Sequence, residues 1–338
     1  MSMFESPRKL MAEGATGVSM GVRGFGAAWK SAKTFIDKRP ERRNNKQTAK
    51  LSKRIRRKYA QKHAPMHVAR GLVSVSVLFS FTFAMLPLYH IATSLRKTSH
   101  APLSLFYLRT LNRILNVRVH VVGKPEGRGP LLLASNHASW LDIPVLGSIL
   151  PMDFMALGSL RQYRGFGFMA RQGRSQFVSG TQGRSLLSER DTFEAKLRKG
   201  TNMTFFPESM IGTGNSLYTF RSSFMGMQDE HGAPIAVTPV SISYSYVHGI
   251  PMSRKTRACF GWRGNCSVTE TIWNAACLGA MDVVVSFHSP MKNEADAERT
   301  KIANHCQRSC ARGLAWGLHR WTPPWQQPQN NKAVDVGQ

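Results

Sequence analysis

The chain has 338 residues and is 42% hydrophobic, which is enough apolar material for one large domain or two small ones. Its 46 Lys and Arg outnumber its 19 Asp and Glu, and the formal net charge of +27 predicts an anionic partner: nucleic acid, a membrane surface or acidic substrates. The chain's length and its odd number of cysteines argue against a disulfide scaffold and predict free thiols in a reducing compartment. These cysteines are Cys259, Cys266, Cys277, Cys306 and Cys310.

The first 70 residues carry much of the positive charge. They contain 18 Lys and Arg against 4 Asp and Glu, a net charge of +14, with the highest density over residues 38–63. No apolar periodicity runs through this part, so residues 1–70 are predicted to form a disordered basic arm. Such an arm is either a solvated tail or a polybasic segment that binds anionic lipid.

An apolar segment follows the arm. Residues 71–95 contain no charged side chain, and roughly 20 apolar residues suffice to cross a bilayer. Basic residues flank the segment on both sides, however, which is not the one-sided bias of a single crossing. An amphipathic stretch continues to residue 116. We therefore predict a membrane-associated helical segment over 71–116 that enters one leaflet and returns; a buried core helix is the alternative.

Short apolar runs alternate with longer amphipathic stretches after residue 116. This alternation predicts an α/β fold over 117–318, with a mixed, mostly parallel sheet flanked by helices, and then a loose tail over 319–338. The predicted strands are 117–122, 131–135, 153–157, 176–179, 203–207, 235–245, 257–262 and 282–288. The predicted helices are 140–150, 161–171, 184–199, 221–230 and 293–317.

Polar clusters follow three of the predicted strands. They read SNH at 135–137, SGTQGRS at 179–185 and PES at 207–209. Ligands of open α/β sheets bind outside the carboxyl ends of the strands. If the three strands are parallel neighbours, their clusters face one crevice.

The first cluster places an imidazole five residues before a carboxylate. Residues at i and i+5 do not share a helix face, so His137 and Asp142 can meet only if His137 lies in a loop and Asp142 in the first helical turn. Ser139 and Asp142 have the spacing of a capping box, which predicts a helix start there. Asp142 could then accept Nδ1–H of His137 and leave Nε2 as a general base. The alternative is that Asp142 only caps the helix and His137 is an ordinary loop residue.

This cluster resembles a known family motif. NHASWLD at 136–142 is similar to the NHxxxxD motif of the lysophosphatidic acid acyltransferase family, the membrane-bound glycerolipid acyltransferases. Further resemblances follow in order: SQFVSG at 175–180, FFPESMIGTGNSLYTFRSSF at 205–224, APIAVTPVSISY at 233–244 and MDVVVSFHSP at 281–290. Several ordered blocks at plausible spacing are more specific than any one motif.

The resemblance implies the glycerolipid acyltransferase fold and acyl transfer from acyl-CoA or acyl carrier protein to the free hydroxyl of a lysophospholipid. His137 would take the hydroxyl proton and Asp142 would orient the ring, without a metal or a cofactor. Backbone N–H groups near Ser139 are candidates for the oxyanion donors. The predicted substrate-binding residues are Asn136, Arg184, Glu208 and Arg221. The implied location is the inner face of the cytoplasmic membrane, with a monotopic or re-entrant attachment and the active domain on the cytoplasmic side.

The sequence departs from the family pattern at two blocks. Ser179 and Gly180 stand where the family carries Asp-Arg, an arginine associated with the acceptor phosphate, and Ser209 and Met210 replace Gly-Thr. These departures predict either an unusual acceptor, held by Arg184 or Arg221, or a weakened or inactive homologue that acts as an anionic-membrane-binding protein. A nucleic-acid binder is disfavoured because no recognised reading module follows the arm.

Overall fold

An eight-stranded mixed sheet forms the centre of the protein in this computed structural model. The structure describes residues 67–92, 101–126, 129–157, 175–178, 184–261, 268–291 and 298–327, which belong to one unit, Pro65–Gln338. The strands are β1 Val117–Val122, β2 Leu132–Ser135, β3 Asp153–Leu157, β4 Ser175–Val178, β5 Met203–Phe205, β6 Val237–Val247, β7 Ile250–Pro251 and β8 Met281–Phe287. The helices are α1 His67–Ala92, α2 Ala101–Ile114, α3 Asp142–Gly147, α4 Arg184–Arg198, α5 Arg254–Arg257, α6 Val268–Leu278 and α7 Arg299–His319.

The strand order is β1-β8-β6-β2-β5-β3-β4, with β7 paired to β6. The five strands from β6 to β4 run parallel to one another. Strand β8 is antiparallel to β6 and parallel to the edge strand β1. The predicted mixed, mostly parallel sheet with flanking helices is confirmed.

Helices cover both faces of the sheet. Alternate side chains of a strand point to opposite faces, and Leu133 of β2 packs in a cluster with α1, α2, α3 and α6. Its neighbours Leu132 and Ala134 pack in the other cluster, with α4 and α7. The sheet therefore separates the α1–α2 layer from the α4–α7 layer.

Two predicted elements are wrong. Residues 257–261 do not form a strand, because the Ser253 hydroxyl accepts a hydrogen bond from Thr256 N–H and caps the short helix α5, which a turn follows. Residues 221–230 do not form a helix. The predicted helix 161–171 lies outside the described residues, and helix α6 was not predicted.

A buried arginine explains the loop at 221–230. The Arg190 guanidinium donates to the carbonyl oxygens of Ser223, Met225 and Gly226 at 2.8, 3.0 and 2.7 Å. A helix would use these same carbonyls as its own backbone acceptors. Burial lowers the pKa of Arg190, but the three carbonyls still receive a cationic donor.

Helices α1 and α2 form an antiparallel hairpin against the sheet. Thr82 and Tyr89 of α1 hydrogen-bond Tyr107 and Ser104 of α2, so later residues of α1 meet earlier residues of α2. The hairpin also carries exposed large apolar side chains: Val68, Leu72, Val73, Val77, Phe79, Phe83, Leu88, Ile91 and Phe106. Helix α1 is long and apolar enough to cross a membrane, and only 22% of its most apolar window is buried.

The predicted end of the basic arm and the predicted start of the loose tail both differ from the structure. Residues 67–70 belong to α1 rather than to the basic arm, and residues 1–66 of that predicted arm lie outside the described part. The predicted loose tail begins later than 319. Trp321 is buried. The Arg118 guanidinium lies over the ring of Trp325, 4.6 Å from the ring centroid.

Helix α7 packs unusually close to β6. A Cβ atom at Gly313 would collide with the Ser241 hydroxyl and the His288 ring, and one at Gly317 would collide with Ser243. Glycine at these two positions is what allows the helix to approach the strand. The contact fixes α7 on the face opposite α1 and α2.

Candidate active site

The carboxyl ends of β2 and β5 bring two of the three polar clusters together. These strands are parallel neighbours, with Ala134 opposite Phe205, so the segments that begin at Asn136 and Phe206 leave the sheet side by side. Strand β4 is parallel to them but separated from β5 by β3. Two strand spacings, about 10 Å, therefore lie between β5 and β4. Residues 179–183 of the third cluster lie outside the described part of the structure.

His137 and Asp142 meet as predicted. The distance from His137 Nδ1 to Asp142 Oδ2 is 2.8 Å, and His137 lies in the loop while Asp142 begins α3. An ionised carboxylate only accepts hydrogen bonds, so Nδ1 carries the hydrogen and Nε2 is left as a base. The His137 side chain is 14% exposed and the Asp142 side chain is fully buried. The orientation needed for general-base chemistry therefore exists before substrate binds.

Asp142 is held by three further donors. Its Oδ2 accepts the backbone N–H groups of Ala138 and Ser139 at 2.6 and 2.9 Å, and its Oδ1 accepts the Tyr244 hydroxyl at 2.7 Å. With His137, four donors therefore converge on this one carboxylate. Burial, together with the nearby Asp142 charge, raises the pKa of Tyr244 well above its usual range, so the hydroxyl remains a donor.

The capping geometry differs in part from the prediction. Asp142 does accept Ser139 N–H, but the Ser139 hydroxyl donates to Phe260 O at 3.0 Å and accepts Leu141 N–H at 3.3 Å. The helix consequently begins at Asp142 after a turn, without a side-chain cap.

Four backbone donors near Ser139 are bonded within the protein. The N–H groups of Ala138 and Ser139 bond the Asp142 carboxylate, that of Leu141 bonds the Ser139 hydroxyl, and that of Asp142 bonds Ser139 O. The first two position the carboxylate behind the histidine. An oxyanion donor elsewhere at this helix start stays a prediction.

Glu208 links the segment after β5 to the segment after β2. Its Oε1 accepts His137 N–H at 2.8 Å and its Oε2 accepts Tyr218 N–H at 2.7 Å. Burial raises the pKa of Glu208 to about 7, against the opposing effect of these two N–H groups. The side chain therefore positions the backbone of the loop that carries His137.

The histidine ring is packed as well as hydrogen-bonded. It stacks on Phe206, with ring centroids 3.9 Å apart and an interplanar angle of 14°. Gly212 N–H donates to His137 O at 2.7 Å, so the loop after β5 holds both the backbone and the ring of His137. This packing keeps Nε2 in one place.

Ser209 shows why the family carries glycine at this position. Its φ is +55°, in the left-handed region that disfavours residues with a Cβ. The chain keeps the backbone turn that carries Glu208 although the glycine is absent. Position 209 therefore differs from the family pattern in residue type, while its backbone adopts the left-handed conformation that glycine favours.

The four predicted substrate-binding residues occupy different surroundings. Asn136 is buried and uses its amide inside the protein, donating to Ile242 O at 3.1 Å and accepting Ile242 N–H at 2.7 Å, which joins β2 to β6. Glu208 is buried beside His137. Contact of any of them with substrate stays a prediction.

Of the two predicted arginines, only Arg221 has a described side chain. Arg221 is exposed, and its N–H donates to Pro207 O at 2.9 Å, which places it beside Glu208 in space. Arg184 is the first residue of α4, but its side chain lies outside the described part of the structure. Of the two candidates for binding a head group, Arg221 has the observed position.

Sequence reasoning missed Tyr244, the residue that completes the Asp142 site. It is 102 residues from Asp142 along the chain, inside a strand where tyrosine is an ordinary residue. Its distinguishing feature is a polar group on a fully buried position of β6, which only the three-dimensional structure reveals. Within the described residues, no group of three or more His, Cys, Asp or Glu could hold a metal ion.

Comparison with known proteins agrees with this geometry. The family model described as Acyltransferase matches residues 116–243. A lyso-ornithine lipid O-acyltransferase from Brucella abortus is 29% identical over 239 residues, which cover 69% of this chain and 90% of that protein. A protein of the same description from Rhizobium meliloti is 32% identical over 196 residues, or 56% of this chain and 67% of that protein.

A solved structure shares the fold. The 1-acyl-sn-glycerophosphate (LPA) acyltransferase PlsC from Thermotoga maritima aligns with a TM-score of 0.53 at 17% identity, covering 76% of this chain and 98% of that one. The mixed sheet and the histidine–aspartate pair at its parallel strand ends thus define an acyltransferase. The chain belongs to the lysophosphatidic acid acyltransferase family, the NHxxxxD glycerolipid acyltransferases.

Proposed function

We propose that the protein transfers a fatty acyl group from an acyl thioester, acyl-CoA or acyl carrier protein, to the hydroxyl of a lyso-ornithine lipid. The proposal rests on the 2.8 Å contact between His137 Nδ1 and Asp142 Oδ2, which leaves Nε2 of an accessible ring as a base. The relatives from Brucella abortus and Rhizobium meliloti supply the acceptor class through their names.

The reaction needs two proton transfers, one to His137 and one from it. His137 Nε2 takes the hydroxyl proton while the oxygen attacks the thioester carbonyl, and Asp142 stabilises the imidazolium that forms. The tetrahedral intermediate collapses by breaking the carbon–sulfur bond, and the imidazolium returns the proton to the leaving thiolate. The products are an ester and a free thiol, with no covalent enzyme intermediate.

The altered second block fits a less anionic acceptor. Lysophosphatidic acid carries a phosphate, whereas ornithine carries a carboxylate and an ammonium group whose charges offset each other. Gly180 stands where the family has arginine, so one phosphate-binding cation is missing. Arg221, beside Glu208, remains to bind a single carboxylate with charge-assisted hydrogen bonds.

Acceptor specificity tests the proposal. The wild-type protein is expected to acylate lyso-ornithine lipid with a kcat/KM at least tenfold above that for lysophosphatidic acid. Gly180→Arg should improve use of lysophosphatidic acid and impair use of lyso-ornithine lipid, because it restores a phosphate-binding cation. Steady-state kinetics with both acceptors measures this.

Two results would contradict the acceptor proposal. A wild-type preference for lysophosphatidic acid would reject the ornithine head group, and Gly180→Arg kinetics identical to wild type would remove position 180 from the head-group site. Absence of transfer to any lyso-lipid would support the non-catalytic alternative.

We also propose that the α1–α2 hairpin attaches the protein to the inner face of the cytoplasmic membrane without crossing it. One side of the hairpin packs on the sheet through Leu78, Met85 and Tyr107, and its other side exposes the large apolar side chains. The antiparallel pairing returns the chain to the domain, as a re-entrant attachment requires. The active domain then stays beside cytosolic acyl donors.

Charges on the exposed face of α1 should release the protein from membranes. Leu72 and Phe83 are 56% and 64% exposed, and Leu72→Asp with Phe83→Asp would place carboxylates in the hydrocarbon. We expect the double variant to leave the membrane pellet in high salt, which screens the basic arm. Ile250→Asp, 66% exposed on β7, is the control and should remain bound. Retention of the α1 variant would reject this attachment.

A further inference from the structure

The outer face of α7 carries a continuous basic stripe. Lys301, His305, Arg308, Arg312 and His319 follow helical spacings of three, four or seven residues and so lie along one side of the helix. From Lys301 to His319 the helix rises by eighteen steps of 1.5 Å, so the stripe is about 27 Å long. Residues 299–320 contain no Asp or Glu.

This stripe differs from the other helix on the same face of the sheet. Helix α4 mixes both signs, with Glu189, Asp191 and Glu194 among its basic residues, and Arg198 pairs with Glu194 at 3.0 Å. On α7, the like charges of Arg308 and Arg312, four residues apart, repel one another, and residues 299–320 supply no acid to compensate. An acidic partner surface would remove that repulsion.

The membrane does not suit this stripe. The exposed apolar side chains belong to α1 and α2, on the face of the sheet opposite α7. A protein attached through the α1–α2 hairpin therefore turns the α7 stripe away from the lipid surface. The partner that meets α7 comes from solution.

Helix α7 also lies directly behind the active-site loops. The Cys310 thiol donates to Val240 O and to Ala134 O, just before the segment that carries His137. Gln307 Oε1 accepts Phe220 N–H, in the loop that contains Tyr218 and Arg221. A partner on the outer face of α7 therefore lies within about one helix diameter, 10–12 Å, of these loops.

We propose that the α7 stripe docks the acidic surface of an acyl carrier protein that delivers the acyl thioester. This inference rests on the proposed acyl transfer and selects the carrier protein over acyl-CoA as the donor that the surface is built to bind. The carrier's prosthetic arm reaches from α7 into the crevice beside His137. The stripe binds the carrier, and the acyl transfer itself takes place at the His137–Asp142 pair.

Charge reversal on α7 tests the docking surface. The double variant Arg308→Glu and Arg312→Glu is expected to raise KM for acyl-[acyl carrier protein] at least tenfold at low salt, with kcat at saturating donor retained. The matched control, Arg198→Glu and Lys199→Glu at the C-terminal end of α4, makes the same change in net charge and should alter KM less than twofold. Raising the salt concentration should shrink the difference between the two variants.

Three outcomes would overturn the docking proposal: equal KM changes in both double variants, unchanged KM in the α7 variant, or loss of binding to anionic phosphatidylglycerol vesicles by the α7 variant alone. Direct titration of holo-acyl carrier protein onto the wild-type protein separates the two proposals. Binding that α7 reversal weakens, without acyl transfer to lyso-ornithine lipid, would retain the docking surface and reject the proposed acceptor.

Discussion

His137→Ala is expected to reduce acyl transfer by roughly 10²–10⁴-fold, the usual contribution of a positioned general base. The loss should appear in kcat, because the imidazole acts on the hydroxyl proton in the transition state. The fold should survive, since the side chain is partly exposed and Asp142 keeps three other donors. Steady-state kinetics and thermal denaturation, compared with wild type, measure the two effects separately.

His137→Gln is the matched control for ring packing. Glutamine retains a polar side chain of similar length but cannot act as a base at neutral pH. If it is as inactive as alanine while both variants unfold at the wild-type temperature, proton transfer is the function lost. Wild-type turnover by either variant would reject His137 as the base.

Asp142→Asn is expected to lower kcat by about 10²-fold while the site keeps its shape. The asparagine carbonyl can replace Oδ2 toward His137 and the backbone N–H groups, and its NH₂ can donate to the Tyr244 oxygen in place of Oδ1. What disappears is the negative charge that stabilises the imidazolium. The pH dependence of kcat should change as well as the value of kcat.

Tyr244→Phe is the companion variant for Asp142→Asn. It removes one of four donors and leaves the carboxylate charged, so its loss of activity should be smaller, about tenfold. If Asp142 only caps α3, Asp142→Asn would instead lower the unfolding temperature and leave kcat unchanged. The two variants thus distinguish a charged partner of His137 from a structural cap.

The sequence predicted what local patterns encode. Alternation of short apolar runs with amphipathic stretches correctly indicated most strands of the sheet. The position of His137 and Asp142 after a strand, together with the resemblance to the NHxxxxD motif, correctly indicated that they meet. The position of Glu208 beside His137 followed from placing both after parallel strands. Each of these features depends on nearby residues or on a general property of parallel sheets.

The features that were missed depend on distant residues. Arg190 keeps 221–230 out of a helix through a contact more than 30 residues away, and Tyr244 reaches Asp142 from another strand. The bonds from Ala138 and Ser139 N–H to the Asp142 carboxylate were missed as well, because the carboxylate was assigned only to the histidine. Periodicity and spacing do not reveal which residue forms the hydrogen bond of a given backbone N–H or C=O group.

The close contact between α7 and β6 divides the helix into two faces that differ in which substitutions they can accept. On the inner face, Gly313 and Gly317 exclude every larger side chain, because any Cβ there meets Ser241 or Ser243. On the outer face, Arg308 and Arg312 are exposed and can be exchanged without disturbing the packed core. Substitutions can therefore change the charge of the outer face while the scaffold around the histidine stays the same.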